Sequence, residues 1–170
     1  LVQTGEEGKE QIIRFAKDGD IRGYRSLLSG DKYSCSATAI DEAAICFIPK
    51  KVFFNLIEND AALSLKIMKL LSEDLKKAES KITDFAQKPV RERMAEALLF
   101  LKETYGYEKD NATINVVLSR EEIANMVGTV RETATRLLSE FKTDNIVELT
   151  GKKIKILDHA KLLKAANLFD

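Results

Sequence analysis

The stretch SREEIANMVGTVRETATRLLSEF, residues 119–141, leaves this chain few ways to fold. Ser119 followed three positions later by Glu122 has the form of a capping box: the serine oxygen accepts from a free backbone N–H while the glutamate reaches back. The spacing predicts a helix starting at Arg120. Ala124 and Gly128 stand four apart. Small residues there let a second helix cross closely, and glycine permits a left-handed turn between the two. A second helix is predicted from about Thr129 or Val130. Ile123, Val127, Val130, Ala134, Leu137 and Leu138 would fill the crevice. This is the sequence form of a helix-turn-helix.

Arg131, Glu132, Thr135 and Arg136 share the outward side of the second helix. Arginine suits bidentate contact with guanine in a DNA major groove, and glutamate accepts from the amino group of cytosine. Thr129 and Thr133 are candidates to hold phosphates, with Ser119 beside them. The bland alternative is a solvated face laced by i,i+4 charge pairs. The next segment, IVELTGKKIKIL, has two β-prone runs joined by Thr-Gly-Lys, a hairpin signal. Lys152, Lys153 and Lys155 on that hairpin fit a wing that touches the DNA backbone, which favours the DNA-reading face.

Composition neither supports nor opposes this. The 170 residues are enough for one large domain or two small ones, and 45% hydrophobic with 32% charged is ordinary for a globular chain. Formal net charge is zero, so any nucleic-acid contact must come from local geometry. No apolar run approaches the roughly 20 residues a membrane span needs. Residues 1–16 lack the apolar core of a signal peptide, so a cytoplasmic location without membrane contact is expected. A start at Leu1 rather than methionine suggests a processed or partial chain. Cys35, Cys46 and His159 have no ligand spacing, so no metal site is expected within the chain, and the cysteines read as two packed thiols.

Along the chain, residues 1–55 read as short strands, including EQIIRFA, YSCSATAI and AAICFIP, punctuated by turns at DGD, SGDK and IDEA. From residue 52 the pattern becomes helical. Ile67, Leu71, Leu75, Ala78, Ile82 and Phe85 form a heptad-like stripe, the candidate dimer contact. Lys66, Lys69, Glu73, Asp74, Lys76, Lys77 and Glu79 are assigned to other faces. Pro89 opens a further helix with Met94, Leu98, Leu99 and Leu101 as its apolar face. TINVVL reads as a short strand and HAKLLKAANLF as a closing amphipathic helix.

With these segments in order, the chain resembles the CRP/FNR family of bacterial transcription regulators over essentially its whole length. The motif LSREEIANMVGTVRETATRLLSEFKTDNIVELTGKKIKI carries the resemblance most specifically. It implies an α+β fold in three parts. Residues 1–56 would be the C-terminal part of a cyclic-nucleotide-binding-like β-barrel (a jelly roll), with its N-terminal portion missing. Residues 57–88 would be a dimerisation helix and 89–170 a winged helix-turn-helix DNA-binding domain. Arg131, Glu132 and Arg136 match the recognition residues used on TGTGA-type half-sites. Glu132, Thr135 and Arg136 also match the Glu-x-x-Ser-Arg pattern of FNR-like members, so TTGA-like half-sites stay open. RNA polymerase is a further possible partner, through loops such as 106–112.

The sensor cassette departs from the cyclic-nucleotide pattern. The family's Gly-Glu-Leu-Gly-Leu with a later Arg-Ser is matched here by Gly23-Tyr24-Arg25-Ser26-Leu27 and Tyr33-Ser34. Tyr24 replaces the glutamate that binds ribose hydroxyls, and Tyr33 the arginine that neutralises the cyclic phosphate. An unneutralised phosphate in a buried pocket is costly, which argues against cAMP. Arg25 is a candidate replacement charge; a vestigial cassette with Arg22 and Arg25 on the surface is the alternative. The effector is therefore left open. FNR-type iron–sulfur cysteines would lie mostly before residue 1, and a haem sensor also stays open.

The expected function is a homodimeric, sequence-specific transcription regulator on palindromic DNA, controlled by an effector in the barrel. The alternative is a small-molecule-binding module whose winged helix contacts a protein partner. An enzyme is not expected, because no nucleophile–base pair and no phosphate-cradling glycine loop is present.

Overall fold

Elements form here where backbone groups find partners, and β-prone composition alone does not secure them. The computed structural model describes residues 1–6, 8–40 and 42–168. The chain divides into two compact units, Leu1–Ile82 and Thr83–Asp170.

In the first unit, β1 (Val2–Thr4) and β2 (Glu10–Ile12) pair antiparallel, with Val2 opposite Ile12. The expected strand EQIIRFA is thus reduced to three residues. YSCSATAI and AAICFIP are not strands. Only Ser36 pairs, with Val2, through bonds of 2.9 and 2.8 Å. The remaining described residues of both runs have no neighbouring strand, and β-propensity without a neighbour does not make a ladder. Cys46 correspondingly lies exposed and Cys35 only half-buried, a correction to two packed thiols. The IDEA turn includes Asp41, which is outside the described residues. A second correction concerns residues 24–29, read as part of a strand region: they form α1 (Tyr24–Ser29). Gly23 and Gly30, both at positive φ, bracket this helix, and Gly30 N–H closes its last turn on the Ser26 carbonyl.

Two more helices follow. α2 (Lys50–Asn59) ends at Asp60, whose carboxylate accepts from Leu63 N–H at 2.9 Å and so caps the start of α3 (Ala61–Gln87). The 27 residues of α3 contain no glycine or proline and are rich in Leu, Lys and Ala, all strong helix formers. It stops just before Pro89, where the residue preceding proline is biased away from helix. The core of the first unit is small: Tyr24, Phe53 and Ile67 are buried, with Ile21, Leu27, Ile57, Leu70 and Leu71 packed against them.

In the second unit α4 (Val90–Tyr105) buries Met94, Leu98, Leu99 and Leu101. It packs against α5 (Arg120–Val127), α6 (Arg131–Thr143) and α7 (His159–Ala165). Between the last two helices, β3 (Val147–Thr150) and β4 (Lys153–Ile156) form the expected hairpin, with Thr150 opposite Lys153 and Gly151 at positive φ in the turn. TINVVL is a correction: only Thr113 and Ile114 make bridges. Asp110 explains this. It accepts from the Ala112 and Thr113 N–H groups and from the Thr113 hydroxyl, fixing a turn that delivers only this short piece to β4. Those bonds also pull the Asp110 carboxyl down to about 2. The fold is α+β with a complete winged helix-turn-helix. No helix of the described residues is long and apolar enough to cross a membrane.

Candidate nucleic-acid interface

The capping box at the head of α5 is formed. Glu122 N–H donates to the Ser119 hydroxyl at 3.1 Å, and Ser119 N–H donates to the Glu122 carboxylate at 2.7 Å. At the other end Gly128, φ 73, takes the left-handed turn, and α6 begins three residues later. Ile123, Ala124, Val127, Ala134, Leu137 and Leu138 are buried between the helices, whereas Val130, expected in that crevice, is exposed as the N-cap of α6.

Arg93 of α4 fastens this turn. Its guanidinium donates to the Val127 carbonyl at 3.1 Å and to the Lys88 carbonyl at 2.7 Å, and it lies over the Phe85 ring at 5.1 Å. Nothing in the local sequence pattern signals this role, because its partners come from the residues just before Pro89 and from α5.

On the outer side of α6, Arg131, Glu132, Thr135 and Arg136 are exposed, while Thr129 and Thr133 are half-buried. The Thr135 hydroxyl donates to the Arg131 carbonyl at 2.8 Å, leaving its oxygen lone pairs outward. Arg136 pairs with Glu140 at 2.5 Å, so one i,i+4 charge pair of the solvated-face alternative does exist within the candidate reading face. The head of α5, the head of α6 and the hairpin turn meet around one depression lined by Ser119, Arg120, Glu121, Arg131, Gly151 and Lys152. Arg120 builds it by donating to the Gly151 carbonyl at 3.1 Å, which ties the wing to α5. Burial lowers the Arg120 pKa. Among the wing lysines, Lys153 pairs with Glu108 at 2.7 Å and Lys155 with Asp110 at 3.7 Å. Lys152 is exposed in the lining of the depression.

The proposed effector residues are placed differently. Tyr24 is buried, and its hydroxyl donates to Asp74 at 2.6 Å. Arg14 forms an ion pair with the same carboxylate. Burial alone would raise the Asp74 pKa, but the bonds from Arg14 and Tyr24 outweigh it and hold the carboxyl below its usual value. Asp74 lies off the apolar stripe of the long helix, on one of its other faces, and is nonetheless buried, because Tyr24 and Arg14 supply the donors its carboxylate needs. Tyr33 is exposed, with its ring over Gly23, where an added Cβ would stand 3.2 Å from a ring carbon. Arg25 and Ser34 are exposed and Ser26 is half-buried. Arg22 is held by Asp20 at 2.6 Å and by the Phe15 carbonyl at 3.2 Å, so it is not a free surface charge. On α3, Ile67 is buried against Tyr24 and Phe53 and Leu71 packs on that core, while Leu75, Ala78, Ile82 and Phe85 are exposed.

Two family models match the chain: a cyclic nucleotide-binding domain over residues 1–60 and a Crp-like helix-turn-helix domain over residues 92–165. The fumarate and nitrate reduction regulatory protein of Vibrio cholerae is 30% identical over 164 residues, covering 96% of this chain and 65% of that protein. A CRP-like cAMP-activated global transcriptional regulator of Mycobacterium tuberculosis is 26% identical, over 94% of this chain and 72% of its own length. A transcriptional regulator of the CRP/FNR family from Thermus thermophilus superposes with a TM-score of 0.81 at 27% identity, covering 98% of this chain and 81% of that one. The chain spans 65%, 63% and 62% of the first three curated relatives it matches. Residues 23–34 depart from a cyclic-nucleotide site at two positions. The Tyr24 hydroxyl is committed to Asp74, and Tyr33 brings no positive charge for a phosphate.

Proposed function

We propose, from the premise that this chain belongs to the CRP/FNR family, that it is a sequence-specific DNA-binding transcription regulator acting as a homodimer. The observation that carries this reading is the exposed set Arg131, Glu132, Thr135 and Arg136 on the second helix of a capped helix-turn-helix, flanked by a wing with Lys152 outward. Arg131, Glu132 and Arg136 are assigned to base edges, with Thr135 beside them. Ser119, Thr129, Thr133, Lys152 and Lys153 are assigned to the phosphate backbone. Within residues 57–88 it is α3 (Ala61–Gln87) that serves as the dimerisation helix, because Asp60 separates residues 57–59, the end of α2, from it; residues 89–170 serve as the DNA-binding domain. The apolar residues that α3 leaves exposed, Leu75 and Ile82 among them, favour helix–helix pairing. Two copies would then present their α6 helices about 34 Å apart, one turn of DNA. The transcription-regulator names of the relatives support the same reading.

The test is a binding titration on palindromic duplexes with TGTGA- or TTGA-type half-sites against random duplex, at several salt concentrations. Arg136→Ala is expected to cost about 1–3 kcal/mol on the preferred palindrome and to relax preference at one position, with little change on random DNA. Equal loss on both duplexes would show that Arg136 holds only phosphate.

A further inference from the structure

We infer that Glu140 is a positioning residue for Arg136 and, through it, a determinant of sequence preference; this rests on the DNA-reading role proposed above. Arg136 has two carboxylates at helical spacing, Glu132 four residues before it and Glu140 four residues after. An isolated helix prefers the acid on the N-terminal side of the base at i,i+4, which favours Glu132. Side-chain lean points the same way, since helical side chains incline toward the N-terminus. The structure has the opposite pairing. Arg136 bonds Glu140, and Glu132 has no ion pair among the described residues.

The reason lies outside α6. Arg91, in the first turn of α4, donates to the second oxygen of Glu140 at 3.2 Å and to Asp144 at 2.7 Å. Its guanidinium lies over the fully buried Phe141 ring at 4.7 Å. The Glu140 carboxylate is thus shared between an anchored arginine and a more exposed one: Arg136 is 64% exposed and Arg91 39%. The anchor draws Arg136 toward the C-terminal side of the helix. It thereby prevents Arg136 and Glu132, both assigned to base edges, from neutralising each other. Without Glu140, Arg136 turns back to Glu132 and both groups must be separated before either reaches a base.

A carboxylate close to DNA also has a plain electrostatic effect, and the two effects have opposite signs. Removing a negative charge should tighten binding to every duplex. Removing a positioning group should weaken binding to the preferred palindrome alone. The experiment compares wild type, Glu140→Ala and Glu140→Gln on the palindromic and random duplexes. In the DNA-free protein it also follows NMR contacts from the Arg136 Nε–H to the side chains of Glu132 and Glu140. The expected result for Glu140→Ala is a roughly tenfold fall in the palindrome-to-random ratio, with random binding unchanged or tighter. Glu140→Gln, which keeps one acceptor oxygen, should fall between. In DNA-free Glu140→Ala the Arg136 contacts move to Glu132. Arg91→Ala, which frees Glu140 without removing it, should lower the ratio by a smaller factor. Equal tightening on both duplexes overturns the inference, as does an Arg136 that keeps away from Glu132 in Glu140→Ala. If wild type shows no preference for either palindrome, the DNA-reading function fails instead, and the NMR contacts still decide the positioning.

Discussion

Residues 1–82 and 83–170 of one chain are held together in different ways. Among the described residues, the first unit buries four apolar side chains, Ile12, Tyr24, Phe53 and Ile67; the second buries 21, from Met94 to Ala166. The second unit is an apolar jigsaw of helices closed by a hairpin. The first unit centres on a polar knot in which Asp74 accepts from Tyr24 and pairs with Arg14. An apolar core loses stability in proportion to volume removed. A polar knot loses it when one partner is deleted and the others stay desolvated. The two units should therefore respond to different substitutions.

The largest effect is expected in the second unit. Phe141 is fully buried beneath Arg91, so Phe141→Ala removes both core volume and the platform of the α4–α6 network. A loss of about 3–5 kcal/mol is expected, read as faster amide exchange throughout α4, α5 and α6. Exchange confined to α6 would mean that the helices do not share one core.

Asp74→Ala is the matching test of the first unit, with an expected loss of about 2–3 kcal/mol seen in α1 and the middle of α3. Acid should reproduce it. The folded Asp74 pKa lies below its unfolded value, so its contribution is present above about pH 4 and disappears as pH falls through the folded pKa. Asp74→Asn should remove that acid sensitivity in α1 while leaving the second unit's own acid response intact. Asp110 contributes to that response, and its share is lost from about pH 4 to about 2. If wild-type α1 exchange is as insensitive to pH between about 6 and 3 as that of Asp74→Asn, the knot contributes nothing to the first unit.

These two units were also unequally legible in the sequence. The helix-turn-helix could be read from Ser119, Glu122, Ala124 and Gly128 because capping boxes and left-handed turns are local devices whose partners lie within four residues. The wing was legible for the same reason: Gly151 and its flanking β-prone runs are adjacent. The burial of Asp74 had no signal in its own helix, where it is one charge among many, because its donors, Tyr24 and Arg14, lie 50 and 60 residues away. Arg91 and Arg93 were invisible likewise, since their partners belong to other elements. The runs YSCSATAI and AAICFIP, read as strands, failed differently. Their composition is β-prone, but a strand needs a neighbour, and only Ser36 has one among the described residues.

The smallest expected effect tests the local device itself. Gly128 sits at φ 73, and a Cβ there would come within 2.7 Å of the Phe85 ring. Gly128→Ala therefore carries two penalties: about 1–2 kcal/mol for a left-handed backbone, and a collision that the partly exposed ring must yield to. The two separate in a second background. With Phe85→Leu in place, the collision is relieved and the backbone penalty remains, so Gly128→Ala should cost less there than in wild type but not nothing. Gly128→Asn in that background should cost less still, because asparagine tolerates the left-handed region. If Gly128→Ala costs the same in both backgrounds, the ring is no constraint, and the turn is set by backbone conformation alone. If it costs nothing in either, the left-handed turn is not what fixes the crossing of α5 and α6, and the apolar side chains between them are sufficient.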